Sequence, residues 1–352
     1  MNATPRPYYR LLVLLTTVLA LVVVILGAYT RLADAGLGCP DWPGCYGHLG
    51  VPESPDAVAA ANANFPERPV ESPKAWKEMV HRYFAGTLGL MIFAIAILSW
   101  RRRQDEGRGV ALPMAIAALV VFQALLGMWT VTLQLKPVVV MAHLLGGFTT
   151  LALLWWLFLR SRAPGTRLAA GVDDDSVSLT PRLIALVSLV VLYAQIALGG
   201  WTSANYAALA CTDFPTCQSV WWPAMDFSEG FVLWRGVGVN YEFGILDSAA
   251  RTAIHMSHRL GAIVTAGWLL FVGAYFLKGT AGIGGQRLAL AMMVLLVLQV
   301  GLGITNIVAA LPLGVAVAHN AVGALLLLSV VTLNHVVHRR SIGAIPVMEG
   351  AT

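Results

Sequence analysis

Four histidines stand where they could hold a metal. His81 lies in Glu78-Met79-Val80-His81-Arg82, and His258 in His255-Met256-Ser257-His258-Arg259, about half a chain later. His143 (Met141-Ala142-His143-Leu144-Leu145-Gly146-Gly147) follows the first, and His319 (Val317-Ala318-His319-Asn320-Ala321-Val322-Gly323) follows the second at nearly the same interval. Each stands near the start of a long apolar run. An ionisable residue within a membrane span marks a functional position by default. Two imidazoles at one depth in a helical bundle can grip a flat, metal-bearing ring. Haem iron takes axial His ligands, and an apolar bundle buries the macrocycle. Zinc would call for four converging ligands with carboxylate or thiolate among them, whereas each half supplies two histidines. For one isolated histidine, polar glue between helices is the better reading; four in a duplicated pattern favour haem. His335 and His338, beside Arg339 at the end of the last span, and His48 in a loop, read as solvated bystanders.

The two copies differ around their histidines. Glu78 precedes His81 by three residues on the same helical face, and its counterpart before His258 is His255. Arg31, at the end of the first span, becomes Ser203. A carboxylate beside a haem pocket can act as a base, take up protons or steady a developing cation. The alternative for Glu78 is an acid placed for the helix dipole, and both readings stand at this point. The asymmetry suggests that the first half performs chemistry while the second holds a permanent redox cofactor. Arg82 and Arg259 lie near the outer membrane surface, placed either to meet haem propionates or to snorkel to lipid headgroups.

All four cysteines fall in outer segments, as Cys39 and Cys45 in the first half and Cys211 and Cys217 in the second. An oxidising outer compartment predicts two local disulfides. The spacing is not C-x-x-C and no thiolate-stabilising helix is evident, so loop stapling is favoured over a redox role. Were one pair to act in redox chemistry, Cys39 and Cys45 would be the choice, because they share a half with Glu78.

The elements that position these residues follow from composition. The chain has 352 residues, is 58% hydrophobic and carries 12% charged residues. A soluble fold cannot hide that much apolar surface, because folded surfaces need charge. Runs long enough to cross a bilayer core occur eight times, at roughly 10–30, 79–100, 110–131, 138–159, 182–203, 250–277, 287–308 and 314–336. The expected fold class is therefore an all-α polytopic membrane protein. The net charge of +5 is topological, with no indication of nucleic-acid binding. Fourteen of the 23 basic residues crowd short segments on one side, among them Arg6, Arg101-Arg102-Arg103, Arg108, Arg162, Arg167 and Arg340. The positive-inside rule then puts both termini in the cytoplasm, with a bacterial inner membrane the best fit. The first span continues past signal-peptide length and reads as a retained helix.

The second half repeats the first. Leu26-Gly27-Ala28-Tyr29-Thr30 matches Leu198-Gly199-Gly200-Trp201-Thr202, and Cys39 to Cys45 matches Cys211 to Cys217, both at an offset of 172. His81-Arg82 matches His258-Arg259 at 177, and Gln123, Gly127 and His143 match Gln299, Gly303 and His319 at 176. Each half has four spans, so both insert in the same orientation. Two four-helix bundles related by a pseudo-two-fold axis along the membrane normal are expected. The divisions are 1–165, a cytoplasmic linker at 166–181, 182–340 and a tail at 341–352. The four histidines would lie in the outer half of the bilayer. Between the first and second spans, a proline-rich outer segment should be irregular, with one short helix around Asp56 to Ala63.

With these residues in view, the chain resembles the haem A synthase family over essentially its whole length, from about Leu11 to His338. The resemblance is carried by Gly27-Ala28-Tyr29-Thr30-Arg31-Leu32, by Glu78-Met79-Val80-His81-Arg82, by the His143 and His319 helices and by the doubled eight-span plan. It implies oxidation of a ring methyl of haem O, by successive hydroxylations, to the formyl group of haem A. It implies a haem b cofactor on His258 and His319, near Arg259, and substrate haem O between His81 and His143, near Arg31 and Arg82. Glu78 matches the family's essential acid, and Cys39 and Cys45 match its loop cysteine pair. Haem O synthase and cytochrome oxidase assembly factors are the partners it suggests, with a homo-oligomer left open. Three other classes compete: a di-haem b-type electron-transfer cytochrome, a haem carrier or chaperone without turnover, and a quinone-linked disulfide oxidoreductase. The first two would not need Glu78. The last would need the cysteines and not the histidines.

Overall fold

The computed structural model describes residues 7–103, 109–161, 179–278 and 282–339. Arg6, Arg108, Arg162, Arg167 and Arg340, most of the expected linker and the 341–352 tail lie outside the described residues. Within them the chain is helical: α1 (Pro7–Leu32), α2 (Pro55–Asn64), α3 (Ser72–Arg101), α4 (Ala111–Thr132), α5 (Pro137–Arg160), α6 (Leu179–Ala204), α7 (Phe227–Gly230), α8 (Ser248–Lys278), α9 (Gly282–Val308) and α10 (Leu313–Arg339). Eight of these are long and apolar enough to cross a membrane, and α2 and α7 are the short ones. The chain is a multi-pass membrane protein of the expected class.

Local chemistry explains the helix limits. Proline opens α3 and α5, where a missing backbone N–H costs nothing. Basic residues close α3 (Arg101), α5 (Arg160) and α8 (Lys278), meeting the negative end of the helix dipole on the face that the positive-inside rule assigns to the cytoplasm. Inside the spans, hydroxyls that lipid could not satisfy turn back on the helix: Thr16, Thr17 and Ser188 donate to the carbonyls of Leu12, Val13 and Ile184. The helix expected around Asp56 to Ala63 is α2. Its N-cap is Ser54, whose side chain accepts from the Ala57 N–H at 3.2 Å. The outermost turns of α3 and α8 begin seven and two residues before their apolar runs, at Ser72 and Ser248.

The pattern of packed neighbours is the same in both halves. In the first, α1 packs on α3 and α5, and α4 packs on α3 and α5. In the second, α6 packs on α8 and α10, and α9 packs on α8 and α10. Across the middle, α5 meets α6 and α10, and α1 meets α10. One apolar core runs through this seam, joining Leu151, Leu154 and Phe158 of α5 to Ile184 and Leu192 of α6 and to Leu327 and Val330 of α10. Apolar burial does not drive association between helices already in lipid, so polar contacts across the seam matter, at ~1 kcal/mol each. Trp155 Nε1–H donates to Thr332 Oγ1 at 2.8 Å, and the Tyr193 hydroxyl donates to the Leu145 carbonyl at 3.3 Å. His335 belongs to this seam. It is buried, with its ring edge-on to Trp156 at 5.2 Å, and is not the solvated bystander that its terminal position suggests. His48 and His338 are exposed, as expected.

On the face that carries both disulfide loops, the second half reaches over the first. The segment between α7 and α8 lies across the α4–α5 hairpin: the Tyr241 N–H donates to the Gln134 carbonyl at 3.0 Å. Glu242 pairs with Arg68 at 3.2 Å. Lys136 is almost completely buried beneath this strap, with Nζ bonded to the Gly236 carbonyl and 3.4 Å from the centre of the Trp234 ring. Burial lowers the pKa of Lys136 from its ordinary value.

Candidate functional site

Each histidine of the set rests on a glycine of a neighbouring helix. A Cβ on Gly27 of α1 would stand 3.0 Å from Cε1 of His81, and one on Gly199 of α6 would stand 3.0 Å from Cε1 of His258. Gly127 of α4 lies under His143 and Gly303 of α9 under His319, with the corresponding distances 3.4 and 3.2 Å. This gives the repeated Leu-Gly-Ala/Gly-aromatic-Thr motif a physical reason: a side chain at the glycine would crowd the Cε1 corner of the ring and push it off the helix. The helix begins earlier than its apolar run, so His81 is nine residues, ~14 Å, into α3.

The pairing of the histidines is set by the bundle. His81 on α3 and His143 on α5 are near enough for their charges to interact, as are His258 on α8 and His319 on α10. Yet α3 does not pack on α5, nor α8 on α10. In each half the histidines come from one diagonal of a four-helix square and the supporting glycines from the other. All four imidazoles are half-buried. The Nδ1 atoms of His81, His143 and His319 are buried without a protein partner among the described residues. Facing imidazoles on a diagonal, backed by glycine and with nitrogens left over, suit a flat ring ligated on both faces. The donor set of each half, two neutral nitrogens without thiolate, fits haem better than zinc.

Glu78 sits past the first turn of α3, where the helix dipole has little hold, so the dipole reading is set aside. The side chain is buried and doubly held: one oxygen meets the Arg82 guanidinium at 2.5 Å, and the other accepts the Cys39 N–H at 2.9 Å. Arg82 continues into the disulfide loop, donating to the carbonyls of Asp41 (3.0 Å), Pro43 (3.3 Å) and Gly44. The second half repeats this with one substitution. Arg259 donates to the carbonyls of Asp213 and Thr216, each at 2.8 Å, and of Cys211 at 3.4 Å. In place of the carboxylate, His255 Nε2 accepts from Arg259 Nε at 2.9 Å while Nδ1–H donates to the Ala207 carbonyl at 2.9 Å. An acid in one half is a neutral imidazole in the other, on the same scaffold.

Both expected disulfides are present, Cys39–Cys45 and Cys211–Cys217, and all four sulfurs belong to buried residues. In each loop one aspartate binds consecutive backbone N–H groups: Asp41 those of Tyr46 and Gly47, Asp213 those of Gln218 and Ser219. Asp213 is held below the usual carboxylate range, chiefly by the Thr216 hydroxyl at 2.6 Å and then by those backbone donors. Arg31 leaves its own half. Its Nη2 donates to the carbonyl of Ser203 at 2.7 Å, and the guanidinium lies 4.0 Å from the centre of the Tyr206 ring. Arg31 thus binds its own repeat counterpart at the junction of the halves.

Sequence reasoning did not single out Gln195. Its Nε2 lies 2.9 Å from Nδ1 of His258, and Gln299 Nε2 lies 3.1 Å from Nε2 of His319. Gln299 was visible as part of the repeat; Gln195 is not repeated, and only the fold brings it to a histidine 63 residues away.

The chain matches known proteins over nearly its whole length. The model of the COX15-CtaA family, described as cytochrome oxidase assembly protein, matches residues 10–331. A heme A synthase of Shewanella oneidensis is 48% identical over 327 residues, covering 93% of this chain and 96% of that protein. Heme A synthases of Rhizorhabdus wittichii and Bacillus licheniformis are 26% and 23% identical, covering 95% and 87% of this chain and 96% and 88% of theirs.

Proposed function

Since the chain belongs to the COX15-CtaA family of cytochrome oxidase assembly proteins, we propose that it is a membrane enzyme that oxidises haem O to haem A. The observation that carries this reading is the contrast between matched sites. Both halves present two facing imidazoles on glycine floors, and only the first adds a buried carboxylate. His81 and His143 hold substrate haem O, and His258 and His319 hold a resident haem b. Bound haem b supplies a one-electron redox centre. Glu78 places negative charge one helical turn from His81, and its hydrogen bonds from Arg82 and Cys39 fix the direction of that charge. A fixed carboxylate there steadies positive charge developing at the ring methyl or receives its proton. The methyl passes to the formyl group by successive hydroxylations, its electrons going to an external oxidant and the resulting gem-diol losing water. The sites lie in the outer half of the bilayer of a bacterial inner membrane, with both termini cytoplasmic and haem O synthase as the natural supplier of substrate.

The test is to express the chain together with a source of haem O and analyse the extracted haems. Haem A should appear, and Glu78→Gln should reduce it by ~100-fold or more while the low-spin haem b spectrum persists. Haem A formation surviving Glu78→Gln would remove the role of the acid. No haem A from the unaltered chain, with two tightly bound haems, would mark an electron-transfer cytochrome. His258→Ala or His319→Ala should abolish or alter the haem b spectrum.

A further inference from the structure

Of the two matched histidines His81 and His258, His258 has a side-chain amide within hydrogen-bond reach and His81 has none among the described residues. We propose that Gln195 is the positioning residue for His258, holding the imidazole through Nδ1 so that Nε2 is presented to iron. This rests on the ligand assignment made above. Gln195 lies on α6 and its Nε2 is 2.9 Å from His258 Nδ1 and 3.0 Å from the His258 carbonyl, while its Oε1 is buried without a partner. A histidine bound to iron through Nε2 carries its remaining proton on Nδ1 and needs an acceptor there. A half-turn about the soft terminal torsion of Gln195 exchanges the two ends of the amide and offers Oε1 to that proton. The orphan oxygen then has a donor. The same turn gives up the Nε2–H bond to the His258 carbonyl, a loss that the bond from the Nδ1–H of an iron-bound imidazole has to offset.

The room for this amide is built into α8. Gly261 lies beside it, and a Cβ there would collide with Gln195 Oε1. By the repeat, Gln195 corresponds to Val23 and Gly261 to Phe84. The first half therefore lacks the amide, and the Val23 backbone, not a side chain, is what meets the His81 ring. Gln299 does not make this distinction, because Gln123 stands at its place in the first half. An imidazole that donates through Nδ1 is a stronger, better-oriented ligand and favours oxidised iron. The half with Gln195 is suited to keep its haem, and the half with Val23 to release one after reaction.

The experiment is a redox titration of the bound haem b in the purified full-length protein, unaltered and as Gln195→Leu, Gln195→Glu and His258→Ala. Removal of the acceptor in Gln195→Leu should raise the reduction potential, and the stronger acceptor in Gln195→Glu should lower it, with the haem low-spin in both. If Gln195→Leu does not accumulate, the near-isosteric Gln195→Glu alone decides: a downward shift supports the assignment. Haem-loaded variants that titrate where the unaltered protein does would overturn the positioning role and leave the ligand assignment intact. An unchanged haem spectrum in His258→Ala would overturn both.

Discussion

The halves of this molecule are two answers to one sequence plan, and they part at three matched positions. Glu78 faces Arg82 where His255 faces Arg259. Val23 stands where Gln195 approaches His258, and Arg31 reaches across to its own counterpart, Ser203. What stays constant is the mechanical part: a glycine under each imidazole, an arginine gathering the carbonyls of a disulfide loop, an aspartate closing that loop's turn. The comparison teaches that scaffold and chemistry are separable here. One arginine in a ring of carbonyls can be balanced by a carboxylate or by a neutral imidazole, so an acid was free to appear, or vanish, without rebuilding the loop. The charge balance differs accordingly. Each loop carries one aspartate, Asp41 or Asp213, bound to backbone N–H groups, so the Arg82 cluster has one carboxylate, Glu78, more than the Arg259 cluster.

The sharpest way to break the comparison is to exchange the acids. Glu78→Gln should remove nearly all haem A formation, whereas His255→Gln, which keeps a donor and an acceptor on a neutral side chain, should leave product and spectrum near the unaltered level. Equal losses from both, measured by haem extraction, would mean that the halves are not functionally distinct. Next in size is a crossed pair of glycine changes. Gly199→Val should push the His258 ring off its floor and abolish the haem b spectrum. Gly27→Val should spare that spectrum while abolishing product, because it disturbs His81 alone. A Gly27→Val protein that lost haem b would place the resident cofactor in the wrong half.

Smaller effects concern the scaffold. Arg82→Gln and Arg259→Gln each strip several charge-assisted hydrogen bonds from loop carbonyls and should cost ~2–3 kcal/mol, read as a lowered thermal midpoint in detergent. Arg82→Gln should cost more, since it also strands the buried Glu78 carboxylate. A larger loss from Arg259→Gln would show that the imidazole partner is the more dependent one. Least of all, Arg68→Ala breaks a partly exposed ion pair between the outer strap and the first outer loop and should cost under ~1 kcal/mol. A collapse of stability on that change would show the strap to be held mainly by its rim and not by the buried Tyr241 and Lys136 contacts.

Much was legible beforehand. The eight spans are determined by composition, because any uninterrupted apolar run of that length has nowhere else to go and a helix is the one local structure that satisfies its own backbone there. The duplication, the four histidines, Glu78 and both cysteine pairs are likewise properties of spacing. The apolar runs fall short of α3 and α8 because the added residues, Ser72 to Glu78 and Ser248 with Ala249, carry no sustained apolar signal. Tertiary structure alone decided the rest. It set the histidines on one diagonal of each bundle and glycines on the other, buried His335 at the seam, sent Arg31 across to Ser203 and brought Gln195 to His258. It also gave Arg82 and Arg259 to loop carbonyls, where sequence left propionates and headgroups as the candidates. The reason is that length and apolarity act on a segment by itself, while the partner of a buried polar group depends on which helix the fold sets beside it.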